Sequence, residues 1–195
     1  MKIIGLTGNI GSGKSIVSRI FSVLGIPVYH ADEESKKLFQ HNEIRQSLRE
    51  IFRDVFDISG QVDRKKLATI VFSDPALLSK LNNLLHPLVR EDFRAWVNAR
   101  RDSVYVIQEA AIIFESGFAN EFDKIIHVAC PAEIAIERVM NRDHVSREEV
   151  VRRRASQMDE KEKAALADFI ILNDGLHMVI PQVLSLHDQL LKGSA

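Results

Sequence analysis

Several features that define whole classes of protein are scarce or missing in this sequence. Its 195 residues contain one cysteine, Cys130, so no disulfide can form within the chain, which suits a reducing compartment. The 26 basic and 27 acidic residues nearly cancel, and the net charge of -1 gives no general attraction for nucleic acid or for an acidic membrane surface. No apolar run approaches the roughly 20 residues that a membrane-spanning helix needs.

The chain starts with an apolar strand pattern almost directly after Met1, so we expect no signal peptide. We therefore expect a cytoplasmic protein with no nucleic-acid and no membrane partner, and its partners have to be inferred from candidate sites. The length suffices for one domain with a sizeable core, and no internal repeat or low-complexity linker interrupts it.

Residues 8–15 carry the strongest chemical signal, because Gly8, Gly13, Lys14 and Ser15 complete the pattern G-x-x-x-x-G-K-[ST]. In such a phosphate-binding loop the glycines let the backbone approach a ligand, and successive N–H groups point at phosphate oxygens. The lysine reaches the β- and γ-phosphates, and the serine hydroxyl ligates Mg²⁺. An apolar strand before the loop and a helical pattern after it favour this interpretation over a glycine-rich turn that binds nothing.

Short apolar segments alternate with helical patterns, which predicts an α/β fold of the P-loop NTPase type, with a five-stranded parallel sheet and helices on both faces. The strands are expected near residues 3–6, 26–29, 104–107, 123–130 and 168–172. Between the second and third strands lies a long helical insertion, where we expect a substrate-binding subdomain. His86-Pro87 is expected to interrupt its helices, and Cys130 is expected to be a buried thiol rather than a reactive one.

Acidic residues follow two of the predicted strands. Asp32 lies just after the second strand, and Glu109 lies at the end of the third. Because the carboxyl ends of parallel strands line the ligand crevice of such sheets, both are expected on the same edge as the phosphate-binding loop. Asp32 could instead be the N-cap of the helix that follows it. His30 could lie at the rim of the ligand crevice or be an ordinary surface histidine.

The segment 138–154 is rich in arginine and interleaved with glutamate. Within it, Ser146 and Glu149 form a capping box, so a short helix is expected after a loop. Mixed charges of this kind usually form a solvated face. The functional alternative is a mobile lid over residues 141–160, which would close arginines over a triphosphate and exclude water.

Together these features describe a small P-loop kinase, which holds two substrates and transfers a γ-phosphoryl group largely by positioning and charge stabilisation. The chain resembles the dephospho-CoA kinases over nearly its full length, through several motifs in the right order. The motifs are Leu6 to Ser15, Asp32, Leu81-Asn82 with His86-Pro87, Phe114-Glu115, Arg138 with Arg142-Asp143, Arg154 to Gln157, Ala167-Asp168, Asn173 and Gly175. Only the first is shared with P-loop kinases at large.

The resemblance implies ATP-dependent phosphorylation of the 3′-hydroxyl of dephospho-CoA, the last step of coenzyme A biosynthesis, with Mg²⁺ as cofactor. It implies that Asp32 is the general base or orients this hydroxyl, with Lys14 and the lid residue Arg142 as further catalytic residues. His86 and Glu109 are implied, with Asp32, to bind the acceptor, and Ser15 to bind the metal. The residues implied to hold ATP are Gly8, Asn9, Ile10, Gly11, Ser12, Gly13, Lys14, Ser15, Ile16, Arg142, Asn173 and Gly175.

The chain departs from the family pattern at three places. His30 stands where the family usually has the first aspartate of an Asp-Ala-Asp segment, and Glu109 stands where it usually has an aspartate. Residues 111–113 read Ala-Ile-Ile instead of Pro-Leu-Leu. Because Asp32 is retained, the implied chemistry is intact, and only the role of the first aspartate is put in doubt.

We expect a single P-loop kinase domain over residues 1–195, acting as a monomer or weak homo-oligomer. Its core comprises residues 1–32, 102–140 and 165–195, and its helical CoA-binding subdomain comprises about residues 33–101. The alternative functions are another small-molecule P-loop kinase, of the nucleoside monophosphate, shikimate or gluconate type, and a non-catalytic nucleotide-binding regulator.

Overall fold

The computed structural model of the chain describes residues 1–192. It divides into two compact units, of which the first comprises Met1–His30 and Trp96–Ala195 and the second comprises Ala31–Ala95. Among the described residues, no helix is both long enough and apolar enough to cross a membrane.

The first unit is built on a five-stranded sheet in the order β2-β3-β1-β4-β5, and every neighbouring pair is parallel. In chain order the strands β1 to β5 are Lys2–Thr7, Val28–His30, Tyr105–Glu109, Lys124–Ala129 and Phe169–Leu172. This architecture confirms the predicted fold class. The strands are nearly continuous apolar runs because a parallel sheet of this kind is covered on both faces.

Nine α-helices are assigned in the described residues. In chain order α1 to α9 are Lys14–Val23, Ala31–Leu38, Asn42–Ile51, Arg64–Ser73, Pro75–Asn98, Ala132–Asp143, Arg147–Ala155, Glu160–Leu166 and Val179–Lys192. Two short 3-10 helices lie at Arg53–Val55 and Ala119–Glu121. The predicted cap of α7 is present, since the Ser146 side chain accepts a hydrogen bond from the Glu149 N–H.

The core of the first unit lies between the sheet and the helices α1 and α9. Ile126 and Val128 of β4 belong to this core together with Phe21 of α1 and Leu186 of α9. His127 lies between those two strand residues, so its side chain points to the opposite face of the sheet, where α8 lies. Helices therefore cover both faces of β4. Cys130, just beyond it, is buried as predicted.

The second unit is entirely helical apart from an isolated bridge between Phe56 and Val62. It contains α2, α3, α4 and most of α5, around a separate core. The fully buried Leu48 and Val55 lie in this core with Leu67 and Leu85. Asp63 is the N-cap of α4, as predicted, and its side chain accepts hydrogen bonds from two backbone N–H groups.

The expected break at His86-Pro87 is wrong, because α5 runs without interruption through Pro87. A proline inside a helix removes one hydrogen bond and crowds the preceding turn. A row of buried side chains four residues apart lies on both sides of Pro87: Leu81, Leu85, Val89, Phe93 and Val97. The free energy gained by burying these side chains offsets the hydrogen bond and the steric crowding that Pro87 costs, and the helix stays continuous.

Candidate active site

The phosphate-binding loop joins β1 to α1, with Gly13 as the N-cap of that helix. Gly11 and Gly13 have φ angles of 83° and 90°, which favour glycine. A Cβ atom on Gly11 would lie 2.3 Å from the Ala135 carbonyl oxygen, and one on Gly13 would lie 2.1 Å from Asn173 Nδ2. Both glycines are therefore required by backbone conformation and by close approach of neighbouring atoms.

Lys14 is held on the loop itself. Its Nζ donates to the carbonyl oxygen of Gly8 at 2.8 Å, and the Ser12 N–H donates to the Asn9 carbonyl at 3.0 Å. These two hydrogen bonds give the loop a defined conformation. The Lys14 ammonium group lies beside the loop backbone, which is the part of the loop that a bound phosphate would contact. Ser15, in the first turn of α1, is exposed, and its hydroxyl makes no hydrogen bond to another described residue.

Residues 154–158, here called the strap, comprise the last two residues of α7 and the three that follow it, and they contact the loop. Gln157 Oε1 accepts a hydrogen bond from the Ile10 N–H at 2.9 Å, and Arg154 donates to the Ile10 carbonyl oxygen at 3.0 Å. The Asn9 side-chain amide donates to the Met158 carbonyl at 3.2 Å. Sequence reasoning placed Arg154 and Gln157 in a family motif without assigning this role to them, because the partners lie about 150 residues away in the chain.

The helix α8, which the sequence analysis missed, anchors the far end of the strap. Lys163 is fully buried, and its Nζ donates to the Ala111 carbonyl and pairs with Glu115, each at 2.8 Å. The same Glu115 carboxylate accepts the Met158 N–H at 2.9 Å. A buried ammonium needs such partners, because an unpaired charge there would be costly.

A second pair, between a buried histidine and a partly exposed glutamate, holds the start of α8. His127 is fully buried, and its Nε2 lies 2.9 Å from Glu160 Oε1, which also accepts the Cys130 N–H at 3.2 Å. Asp159 is the N-cap of α8 and is followed three positions later by Glu162. This spacing is the signal in the sequence that could have predicted the helix.

Asn173, one of the predicted nucleotide contacts, follows β5 and is buried. Its Nδ2 donates to the Ser12 carbonyl oxygen at 2.7 Å, so the structure brings it to the loop. Arg138 of α6 donates to the Asn173 carbonyl oxygen at 3.1 Å and to its side-chain oxygen at 3.4 Å. Gly175 adopts a φ of 83°, and space lies open beside it. Direct contact of either residue with a nucleotide stays a prediction.

Arg142, the predicted lid residue, lies at the end of α6 and forms a two-point ion pair with its neighbour. Its Nε and Nη2 atoms lie 2.7 Å and 3.0 Å from the two carboxylate oxygens of Asp143. These hydrogen bonds hold the pKa of Asp143 below its usual value. Arg153 of α7 approaches the same carboxylate at 3.2 Å. A phosphate group that recruits Arg142 would therefore have to share it with Asp143.

The two departures from the family pattern on the sheet edge contact each other. His30 and Glu109 are register partners at the ends of β2 and β3, and His30 Nδ1 lies 2.8 Å from Glu109 Oε2. In the parallel sheet, Glu109 is in turn the register partner of Leu6, just before the phosphate-binding loop. The pair thus lies on the edge of the sheet where the loop begins, and His30 is a rim group.

Replacing His30 with aspartate is expected to destabilise the protein by about 1–2 kcal/mol, because it removes a hydrogen bond and places a second carboxylate beside Glu109. Equilibrium unfolding in urea at neutral pH measures this loss. Adding Glu109→Gln to the same chain should restore part of the stability, since one of the two negative charges is then gone. Equal unfolding free energies for the single and double variants would contradict this account.

Asp32 and His86 belong to the second unit. Asp32 lies two residues beyond the end of β2 and is the second residue of α2, so it is within the helix and is not its N-cap. His86 lies in the middle of α5, where burial, with a smaller contribution from the charge of Arg90, lowers its pKa. Their roles toward an acceptor substrate stay predictions.

The comparisons with known proteins agree with one another. Residues 2–178 match the family model described as dephospho-CoA kinase. A dephospho-CoA kinase from Bacteroides fragilis is 43% identical over 185 residues, which cover 94% of this chain and 90% of that protein.

Two solved structures extend this similarity. TT1252 from Thermus thermophilus superposes with a TM-score of 0.86 at 34% identity, covering 96% of each chain. A dephospho-CoA kinase from Campylobacter jejuni has a TM-score of 0.69 at 27% identity, covering 99% of this chain and 98% of that chain. With its phosphate-binding loop formed and its sequence matched almost from end to end, this chain belongs to the dephospho-CoA kinase family.

Proposed function

We propose that this protein transfers the γ-phosphoryl group of ATP to the 3′-hydroxyl of dephospho-CoA and so produces coenzyme A. The observation that carries the proposal is the family match over residues 2–178, which covers the second unit and most of the first. The shape of the phosphate-binding loop supports the same reaction, since its glycines and Lys14 provide the groups that a triphosphate needs.

Phosphoryl transfer needs little covalent chemistry from the protein, so the proposed roles are positioning and charge stabilisation. Lys14 leaves the Gly8 carbonyl and contacts the β- and γ-phosphates as negative charge builds on the transferred group. Residues 8–16 cradle the donor with backbone N–H groups, and Arg142 adds a positive charge from the lid, residues 141–160. Asn173 and Gly175 lie near the nucleotide in the same proposal.

Asp32 accepts the proton of the acceptor hydroxyl, or orients that hydroxyl for in-line attack. If the transition state is loose, the hydroxyl proton is lost late, and the carboxylate that accepts it needs little basicity. Its place in the chain supports this role, since it follows β2 by two residues and the carboxyl ends of parallel strands line the ligand crevice of such sheets. His86 and Glu109 bind other parts of the acceptor, with the helical insertion as the CoA-binding subdomain.

Mg²⁺ fits the residues of this chain as a partner of the nucleotide and not as an ion held by the protein alone. No group of three or more histidine, cysteine, aspartate or glutamate side chains capable of holding a metal occurs in residues 1–192. Mg²⁺ typically keeps several waters and binds through substrate phosphates with one or two protein groups. The exposed Ser15 hydroxyl would provide one such ligand, and the metal would neutralise charge on the phosphates.

A cytoplasmic location and a monomeric or weakly associating state complete the proposal. The single cysteine supports a reducing compartment such as the cytoplasm, and gel filtration of the full chain at several concentrations tests the state of association.

Steady-state kinetics with competing acceptors tests the proposed function. Dephospho-CoA should be phosphorylated with a higher kcat/KM than adenosine, AMP, shikimate or gluconate, each offered with ATP and Mg²⁺. The ³¹P–¹H coupling in the NMR spectrum of the product should place the new phosphate on the 3′-oxygen. A higher kcat/KM for one of the other acceptors would reject the proposal in favour of another small-molecule kinase.

A further inference from the structure

The orientation of the peptide groups in the phosphate-binding loop is controlled from outside the loop. A trans peptide group is planar, so its C=O and the N–H of the next residue point in opposite directions. No cis peptide bond occurs in the described chain. A side chain that binds a loop carbonyl from outside the loop therefore also orients the N–H of the next residue toward the inside of the loop, where a phosphate would bind.

Two side chains hold loop carbonyls in this way. Asn173 Nδ2 donates to the Ser12 carbonyl at 2.7 Å, and that peptide group carries the N–H of Gly13. Arg154 Nη1 donates to the Ile10 carbonyl at 3.0 Å, and that peptide group carries the N–H of Gly11. Within residues 1–192, neither glycine N–H donates to a protein acceptor. These two N–H groups are thus available to a ligand.

The loop needs these hydrogen bonds from Asn173 and Arg154 because its glycines can adopt many backbone conformations. Gly11 and Gly13 adopt φ angles of 83° and 90°, and a peptide group next to a glycine can rotate at low steric cost. After such a rotation the carbonyl oxygen would face the phosphates and repel them. A phosphate-binding loop therefore gains affinity when its peptide groups are fixed before the ligand arrives.

Asn173, which binds the Ser12 carbonyl, is itself held in place by its surroundings. Asn173 is buried, and Arg138 fixes it through both its backbone and side-chain oxygens. The bare Cα of Gly13 leaves the space that the Asn173 amide occupies, since a Cβ there would lie 2.1 Å from Nδ2. Glycine is thus required at position 13 for two reasons. Its backbone has a positive φ angle, and a side chain there would block the approach of Asn173.

We propose that Asn173 and Arg154 are positioning residues for phosphate binding, which orient the N–H groups of Gly13 and Gly11 by holding the Ser12 and Ile10 carbonyls. Asn173 acts here through the loop and not through a contact with the base. This inference rests on one part of the proposed function, namely that the loop binds a nucleoside triphosphate.

Binding of inorganic tripolyphosphate and of adenosine, measured separately by NMR titration of the full chain, tests the proposal. Asn173→Ala should weaken tripolyphosphate binding by about tenfold, the effect of one hydrogen bond to a charged group, and leave adenosine binding unchanged. The ligand-induced shift of the Gly13 amide resonance should shrink in the same variant. In kinetics, the KM for ATP should rise while the KM for dephospho-CoA stays the same.

Arg100 provides a control, because its guanidinium also donates to a backbone carbonyl, that of Trp96, at 3.0 Å, in the segment that precedes β3 and away from the loop. Arg100→Ala should lower thermal stability and leave tripolyphosphate binding at the wild-type level. If the loss in Asn173→Ala only reflected lower stability, both variants would weaken tripolyphosphate binding alike, and this would overturn the proposal.

Unchanged tripolyphosphate binding in Asn173→Ala, or a loss confined to adenosine, would also overturn it, the latter by showing a base contact. If that variant does not fold, Arg154→Met tests the Gly11 side of the loop with the same two probes, and unchanged tripolyphosphate binding would again reject the proposal. Tripolyphosphate binding does not depend on the acceptor, so these outcomes stay separate from a failure to phosphorylate dephospho-CoA.

Discussion

Replacing Asp32 with asparagine is expected to lower kcat by about 10²- to 10⁴-fold, the contribution of a positioned general base. Asparagine keeps the size of the side chain and loses the capacity to accept a proton at neutral pH. ATP binding, measured by calorimetry with a non-hydrolysable analogue, should be unchanged, because the proposed partner of Asp32 is the acceptor. Steady-state turnover of dephospho-CoA measures the loss.

The first turn of α2 offers a matched control for Asp32, since Glu33 and Glu34 follow it directly. Glu33→Gln removes a carboxylate from the same turn and the same favourable interaction with the helix dipole. Its kcat should stay near that of the wild-type protein. If Asp32→Asn retains full turnover, or if Glu33→Gln loses as much, Asp32 is not the proton acceptor. Full ATP binding without any turnover in the wild-type protein would instead favour a nucleotide-binding regulator.

Replacing Lys14 with methionine is expected to lower kcat/KM for ATP by about 10²- to 10³-fold, the effect of removing one preorganised donor to developing negative charge. Methionine is similar in length and carries no charge, so the substitution removes the electrostatic contribution with little change in shape. In the structure, Lys14 Nζ contacts the Gly8 carbonyl, and the variant should retain most of its stability because that bond lies within a loop.

Initial rates at varied ATP and saturating dephospho-CoA provide the measurement for Lys14→Met. Lys161→Met is the control, because Lys161 is exposed in the first turn of α8 and should be replaceable without loss of activity. Wild-type kcat/KM in Lys14→Met would contradict the role of the loop lysine. An equal loss in both lysine variants would point to a general effect of charge and not to a contact with the phosphates.

Local patterns were sufficient to predict the parallel sheet. Its five strands are short apolar runs separated by helical patterns, and burial on both faces leaves them little freedom in composition. The caps of α4 and α7 could likewise be predicted, since Asp63 and Ser146 bind N–H groups only two or three residues away. The phosphate-binding loop was predicted for the same reason, because its motif lies within eight consecutive residues.

One prediction failed and one helix was missed where tertiary contacts outweighed local preference. Pro87 predicted a break, and the buried row on α5 kept the helix intact. The short helix α8 was missed because its seven residues, Glu160–Leu166, are mostly charged or small and show little apolar periodicity. It is held instead by Lys163 and Glu160, which pair with Glu115 and His127. Such pairs cannot be inferred from the spacing of residues along the chain.

The amino-acid sequence was enough to define a phosphate-binding loop, a P-loop kinase fold and a resemblance to one family, because these depend on neighbours in the chain. The tertiary structure was needed to show what holds that loop in shape. Asn173 reaches Ser12 across 161 residues of sequence, and Arg154 reaches Ile10 across 144. Contacts of that separation depend on how the sheet and helices pack, so no local pattern specifies them.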